Sequence, residues 1–314
     1  CVLVGIVITT DPRVAVEVLA RGDLCAIPTE TVYGLGALAT NESAVASVYQ
    51  AKGRPANHPL IVHIASFAET SQWIAELPEW ATTLAKAIWP GPLTLVGKRT
   101  PRALDCVTGG QDTVAVRVPN HELTLQVLSE LYARRIGGVV APSANVFGHV
   151  SPTTAAHVES DLGEYLTAHN GVILDGGPCT LGVESTIVLA TGENPVVLRP
   201  GGVTRKMITE ITGLEVVDAP EAPRVSGSLA SHYSPSATVT LIAQDQIAEV
   251  DGPNAGVIAF AEIPTPDHMV RLSAPKSIED FAQELYASLR KADDLGLNQI
   301  YVVEPTDDGL AEAV

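Results

Sequence analysis

Ile27-Pro-Thr-Glu-Thr-Val-Tyr-Gly-Leu-Gly36 is the stretch on which the reading of this chain turns. The apolar run Leu24 to Pro28 is short and strand-like, and it ends in hydroxyls, a carboxylate and two glycines. Thr29 and Thr31 offer short hydroxyl groups, while Gly34 and Gly36 permit close backbone approach to a ligand. Taken alone, the stretch is equally well explained as a glycine turn after a strand, so its surroundings decide.

Upstream, CVLVGIVITT (1–10) reads as a first strand, because it lacks the basic flank and small-residue cleavage site of a secretory leader. Asp11-Pro12 predicts a capped helix start, and Gly22 a stop after Arg21. Downstream, Asn41 caps a helix whose Val45, Val48 and Tyr49 share one face, and Gly53 ends it. Further strands are expected at Leu60–Ile64, Leu93–Gly97, Thr113–Val118, Gly138–Ala141, Ile187–Leu189 and Val196–Leu198, with helices at Pro78–Ile88 and His121–Ala133. Their irregular order predicts a mixed α/β sheet, not a repeat of βαβ units. Residues 219–238 are rich in Pro and Ser, lack any period and read as a linker. Beyond it, strands at Val239–Ile242, Gly256–Phe260 and Ile300–Val303, with a helix from Ser277 to about Lys291, predict a smaller Rossmann-like α/β unit. The expected organisation is therefore 1–218, a linker at 219–238, and 239–314.

Composition narrows the function. At 314 residues the chain is long enough for two domains. Aromatic residues make up 4%, so the core must be built from Val, Leu, Ile and Ala. A net charge of −17 argues against a protein whose main task is to grip a phosphate backbone. The charge is uneven, however: from residue 239 onward there are fourteen acidic residues and four basic ones. An anionic ligand is therefore expected in the N-terminal part. Cys1, Cys25, Cys106 and Cys179 are widely spaced and form no CxxC pair, which argues against a zinc ribbon and against a disulfide framework. No segment approaches the roughly 20 apolar residues that span a bilayer, so no membrane association is expected and the cytosol is the default.

Four more stretches carry chemistry. In KGRPANHPLIVH (52–63), Lys52 and Arg54 flank a helix-breaking glycine, a cation pair suited to polyphosphate but also to a solvated helix C-terminus. His63 lies on the next strand, where a lone histidine is usually structural. APSANVFGHVS (141–151) delivers Ser143 and Asn145 into a glycine-containing loop. DGGPCTLGVESTIV (175–188) places Ser185 and Thr186 at a strand start, and LRPGG (198–202) sets Arg199 at a strand end. No GxxxxGK[ST], helix-opening GxGxxG or HExxH is present, so a nucleotide site here is not one of the standard ones.

In this order, PTETVYGLG (28–36), KGRP (52–55), HPLIVH (58–63), SAN (143–145), GVESTIV (182–188) and LRPG (198–201) resemble the threonylcarbamoyl-AMP synthase family over roughly residues 7 to 210. SHYSP (231–235) and the acidic tail resemble its longer, two-domain form. The resemblance implies a YrdC-type open twisted mixed sheet with a concave cavity. It also implies a reaction of L-threonine, bicarbonate and ATP that yields threonylcarbamoyl-adenylate and pyrophosphate for tRNA modification. Carried onto this chain, Lys52 and Arg54 would meet the triphosphate. Ser143, Asn145, Ser151, Thr113 and Arg199 would hold the nucleotide, with His58 standing where some members have Asn. Thr31, His63, Arg117 and Ser185 would hold threonine, and Tyr233 would cover the nucleotide as a lid. Magnesium would come with ATP through phosphate oxygens, with Glu30 and Glu184 the nearest carboxylates and no dedicated protein site. The product would pass to the tRNA threonylcarbamoyl-transferase complex, with at most weak tRNA contact. A tRNA or double-stranded RNA-binding module without catalysis is the alternative, weighed against by the charge. A carbamoyl-transfer enzyme of the hydrogenase-maturation type would carry zinc-finger cysteine pairs, which this chain lacks.

Overall fold

The computed structural model describes residues 7–218, 223–226, 234–306 and 309–314. Cys1, Tyr233 and most of the expected linker lie outside the described residues. The N-terminal unit runs β1 (Val7–Thr9), α1 (Pro12–Ala20), β2 (Cys25–Ile27), β3 (Gly34–Leu38), α2 (Glu42–Lys52), β4 (Ile61–His63), α3 (Glu79–Ile88), β5 (Leu93–Lys98) and α4 (Asp105–Thr108). It continues with β6 (Thr113–Arg117), α5 (Glu122–Ala133), β7 (Val139–Val140), α6 (Ala155–Ala168), β8 (Val172–Leu174), β9 (Thr186–Leu189), β10 (Val196–Arg199) and α7 (Arg205–Thr212). Its ten strands form one mixed sheet in the order β1-β8-β2-β3-β7-β4-β6-β5-β9-β10. The second unit has β11 (Thr238–Ile242), β12 (Ala255–Ile258), β13 (Val270–Ser273), α8 (Ile278–Asp294) and β14 (Gln299–Val303). Its sheet is parallel throughout, in the order β11-β14-β12-β13.

The caps behave as their chemistry requires. The Asp11 side chain accepts from the Arg13 amide at 2.9 Å, Asn41 Oδ1 accepts from the Ala44 amide at 3.1 Å, and Gly53 closes α2 at φ +62°. Several elements were not legible locally: β3, α6, α7, β8 and β13. In β3 the cause is clear, since GLGAL has no β-branched residue and reads as a turn. Its glycines also serve a purpose other than ligand approach. A Cβ on Gly36 would lie 2.7 Å from the Cys25 carbonyl oxygen, and one on Gly34 would lie 2.8 Å from Ala141 Cβ. Both let neighbouring strands close on β3.

Two faces of the large sheet have different fates. One buries Val62, Val116, Leu95 and Val188 against Val48 of α2, Leu84 of α3, Leu162 of α6 and Ile208 of α7. The other packs Ile27, Val139 and Leu174 under Leu19 of α1 and Val127 and Leu131 of α5. That second face continues across β4, β6, β5 and β9, where Ile61, Val96 and Ile187 are covered by Val225 instead of a helix. Among the described residues no helix is long and apolar enough to cross a membrane.

Gly36→Ala is expected to lower the unfolding free energy by about 1–3 kcal/mol, because the added methyl meets backbone that cannot move aside. Urea denaturation measures it, and an unchanged midpoint would show that β2 and β3 can separate.

Candidate functional site

Strand register builds the site. Parallel pairing sets His63 beside Arg117, and antiparallel pairing sets Thr94 opposite Arg117. Thr94 is level with Ile187 on β9, and Arg199 of β10 is level with Ile187 in turn. Residues that are level across a sheet share a face. His63, Arg117, Thr94 and Arg199 therefore stand on the face that α1 and α5 cover further along the sheet, with Ser185 just before β9. The turn between β2 and β3 brings Thr31 to the same end. Thr29 Oγ1 donates to the Val32 carbonyl at 2.6 Å and accepts from the Thr31 and Val32 amides, each at 3.1 Å, which fixes that turn.

A buried ion pair lies at the centre. Arg117 Nη2 is 2.8 Å from Glu30 Oε2, with both side chains almost fully buried. Arg117 Nη1 donates to Thr31 Oγ1 at 2.9 Å, and Glu30 Oε2 also accepts from the Asn120 amide at 3.0 Å. Glu30 Oε1 and Arg117 Nε have no hydrogen-bond partner among the described residues, which leaves buried hydrogen-bonding capacity unused. Burial, then the Arg117 guanidinium, push the His63 imidazole down to about 3, so it is neutral at physiological pH. Its Nδ1 lies 3.2 Å from the Ile61 carbonyl, and the Val139 backbone also bonds the ring.

Ser185 Oγ shares a hydrogen bond with Thr94 Oγ1 at 2.8 Å, and Arg199 Nη2 donates to Ser185 Oγ at 3.1 Å and to its carbonyl at 2.8 Å. Arg199 Nη2 also lies 3.5 Å from Glu184 Oε2, while Glu184 Oε1 accepts from Ser151 Oγ at 3.1 Å. Arg199 Nη1 donates to the Ser226 carbonyl at 3.1 Å, and Arg54 Nη2 to Ser226 Oγ at 3.4 Å. The guanidinium of Arg54 also stacks 5.7 Å from the Phe147 ring centre, which His58 meets edge-on. Two of the three expected phosphate cations, Arg54 and Arg199, thus converge on Ser226. Gln111 holds that segment through the Arg224 amide at 2.8 Å and the Arg224 carbonyl at 3.0 Å.

Lys52 is buried beneath this layer. Its Nζ donates to the Ser143 carbonyl at 2.5 Å and to the Asn145 carbonyl at 2.6 Å, while Phe147 N donates back to the Lys52 carbonyl at 2.8 Å. The ammonium therefore holds the 143–147 loop to the end of α2. Thr31, His63, Arg117, Ser143, Ser185 and Arg199 line one narrow cavity with Glu184 and Ser226, about 20 Å³ in volume and roughly enough for a single water. Lys52, Asn145, Arg54 and Ser151 do not line it but are bonded to Ser143, Ser226 and Glu184, directly or through one another. Thr113 is at the opposite end of β6 from Arg117, beside Val225 and Arg224, and His58 is half-buried against Phe147, outside the cavity lining. Sequence reasoning missed Thr94, which looks like an ordinary strand residue, and Ser226, which looks like linker. Cys25, Cys106 and Cys179 are free thiols, and burial pushes Cys25 and Cys179 up to about 12, so neither is a thiolate at neutral pH. Among the described residues no group of three His, Cys, Asp or Glu is placed to hold a metal ion.

Known proteins share this sequence and shape. Residues 17–201 match the Sua5/YciO/YrdC family model, described as telomere recombination, and 203–314 match the model described as threonylcarbamoyl-AMP synthase, C-terminal domain. Threonylcarbamoyl-AMP synthase of Pyrococcus abyssi is 40% identical over 96% of this chain and 91% of its own length. That of Bacillus subtilis is 38% identical over 98% and 92%. The crystal structure of P. abyssi Sua5 complexed with L-threonine superposes with a TM-score of 0.84 at 38% identity, covering 96% of this chain and 91% of that one.

Burial, then the neighbouring Arg54 cation, push the Lys52 ammonium from the usual 10.5 down to about 7. Between those values the unfolded chain binds more protons than the folded one, so this group makes stability rise with pH from about 7 to about 10.5 and adds no slope below. The slope is at most about 1.4 kcal/mol per pH unit. Urea unfolding of Lys52→Met should lack it; curves that stay parallel to the wild type across that window would assign the titration to another group.

Proposed function

Because the chain belongs to the threonylcarbamoyl-AMP synthase family, we propose that the polar end of its large sheet is the synthase site, with threonine and ATP held side by side. The chemistry is nucleotidyl transfer. The threonine amine and bicarbonate combine to a carbamate with loss of water. A carbamate oxygen then forms a bond to the α-phosphorus of ATP as the bond to pyrophosphate breaks. The nucleophile comes from the substrates, so the protein's task is to position them and to stabilise charge.

Thr31, His63, Arg117 and Ser185 hold threonine. Arg117 meets the carboxylate with its remaining donor capacity, and the hydroxyls of Thr31 and Ser185 meet the side chain and amine. A neutral His63 does not compete with the ammonium for that site. Ser143, Asn145 and Ser151 line the nucleotide, with Thr113 and His58 at its outer edge. Arg54 and Arg199 give up Ser226 to take the triphosphate, with forked donors that suit phosphate. Lys52 acts from beneath, fixing Ser143 and Asn145 and adding positive potential. Tyr233 continues from the Arg224–Ser226 segment and serves as the cover. Magnesium would come with ATP and neutralise phosphate charge, with Glu30 and Glu184 the nearest carboxylates. Residues 1–218 act as the catalytic unit, 219–238 as the linker and 239–314 as the second unit. The product goes on to the cytosolic complex that transfers threonylcarbamoyl to tRNA.

The observation that carries this reading is the single row His63, Arg117 and Thr94, closed by Ser185 and Arg199, on one strand-defined face. A tRNA-binding module without catalysis is the second reading, and the concentration of cations in the N-terminal unit is what favours it.

Pyrophosphate release from ATP should require both threonine and bicarbonate; ATP turnover indifferent to both would overturn the synthase reading. Arg54→Ala should lower that turnover by about tenfold or more with folding retained by circular dichroism, and near-normal turnover would remove Arg54 from the site.

A further inference from the structure

Helix α8 of the second unit reaches into the site's supporting loops at three places. Its Arg290 donates through Nη2 to the Val150 carbonyl and through Nε to the Ser151 carbonyl at 3.3 Å. The same guanidinium grips Asp161 of α6 through two bonds, 3.1 Å to Oδ1 and 2.7 Å to Oδ2, with only 12% and 10% of the two side chains exposed. Val150, and Val32 from the turn that carries Thr31, are buried in the second unit's own apolar cluster with Phe281, Leu285 and Leu289. At the third place, Gly182 has φ +77°, and a Cβ there would lie 2.5 Å from Gln283 Cα. Gln283 Nε2 also donates to the Cys179 carbonyl at 3.2 Å.

The geometry points to Arg290, paired with Asp161, as a positioning residue through which the C-terminal unit sets the shape of the nucleotide loop Ser143–Ser151. The path is short. Arg290 fixes the carbonyls of Val150 and Ser151, Ser151 Oγ donates to Glu184 Oε1, and Glu184 Oε2 faces Arg199. Asp161 fixes Arg290 itself, so the carbonyls are held against a guanidinium whose orientation is already determined. A lysine carries the same charge but lacks the fork that engages a carboxylate and two carbonyls at once. The side chains proposed to hold threonine lie further along: Arg117 and His63 stand on β6 and β4, and the bonds of Arg290 go to Val150, Ser151 and Asp161 instead. The effect of losing Arg290 should therefore fall on ATP. This inference rests on the assignment of Ser143–Ser151 to the nucleotide.

The test uses the full chain. Arg290→Gln and Arg290→Lys should each raise the KM for ATP about tenfold or more, while calorimetric binding of threonine changes by less than about twofold. Asp161→Asn should act in the same direction, and its combination with Arg290→Gln should cost little more than either alone. Equal losses for ATP and threonine, an unchanged ATP KM, or full rescue by lysine would each overturn the proposal. If Arg290→Gln does not fold, Asp161→Asn alone carries the same readout. Asn145→Ala separates the two layers of the argument. A raised ATP KM there with none in the Arg290 variants sinks the positioning role, whereas no change in Asn145→Ala sinks the nucleotide assignment beneath it.

Discussion

The pleat of one sheet governs this molecule. Side chains alternate across a strand with a period of two, so along β4, β6 and β5 one face is core and the other carries the site. Val62, Val116 and Leu95 go down into the apolar core, and their neighbours His63, Arg117 and Thr94 go up. The site's geometry is therefore inherited from the packing beneath it. A one-residue slip of β6 would turn Arg117 into the apolar core and Val116 into the polar site together, and no local adjustment could repair the site without destroying the core.

On that frame the protein places an unusual amount of buried charge. Lys52, Arg54, Arg117 and Arg199 are each at least nine-tenths buried, and each has acceptors close by: carbonyls for Lys52, Pro59 and Ser226 for Arg54, Glu30 and Thr31 for Arg117, Ser185 for Arg199. Breaking a pair such as Glu30–Arg117 by removing one partner costs about 3–5 kcal/mol, so the ligand groups are held in place before any ligand arrives. The cations concentrate before residue 239, where 15 of the 19 Lys and Arg lie, while the residues from 239 onward carry −10 of the net −17.

Local sequence revealed what local chemistry determines. Asn41 and Gly53 announce both ends of α2, and the apolar runs before Pro28 and around Val116 announce strands. The order of hydroxyl-, glycine- and cation-bearing stretches gave the family resemblance, and the comparisons bear it out over nearly the full chain. Pairing between strands distant in sequence was not legible, so neither Thr94 as partner of Ser185 nor the closeness of Glu30 to Arg117 could be read beforehand. Ser226 was hidden by its setting, since a Pro- and Ser-rich run reads as connector wherever it passes. Arg290 was hidden by the opposite cause: on an amphipathic helix, a cation among acidic neighbours reads as a solvated face.

Val225 lies on an apolar strip of Ile61, Val96 and Ile187 directly beside the polar cavity. That strip offers water no polar partner of its own. Threonylcarbamoyl-AMP, the compound this family makes, is a mixed anhydride and open to hydrolysis, and an apolar flank beside the cavity would keep bulk water from such a compound. Gln111 on Arg224, and Arg54 and Arg199 on Ser226, pin both neighbours of Val225 and so hold that apolar side chain on the strip.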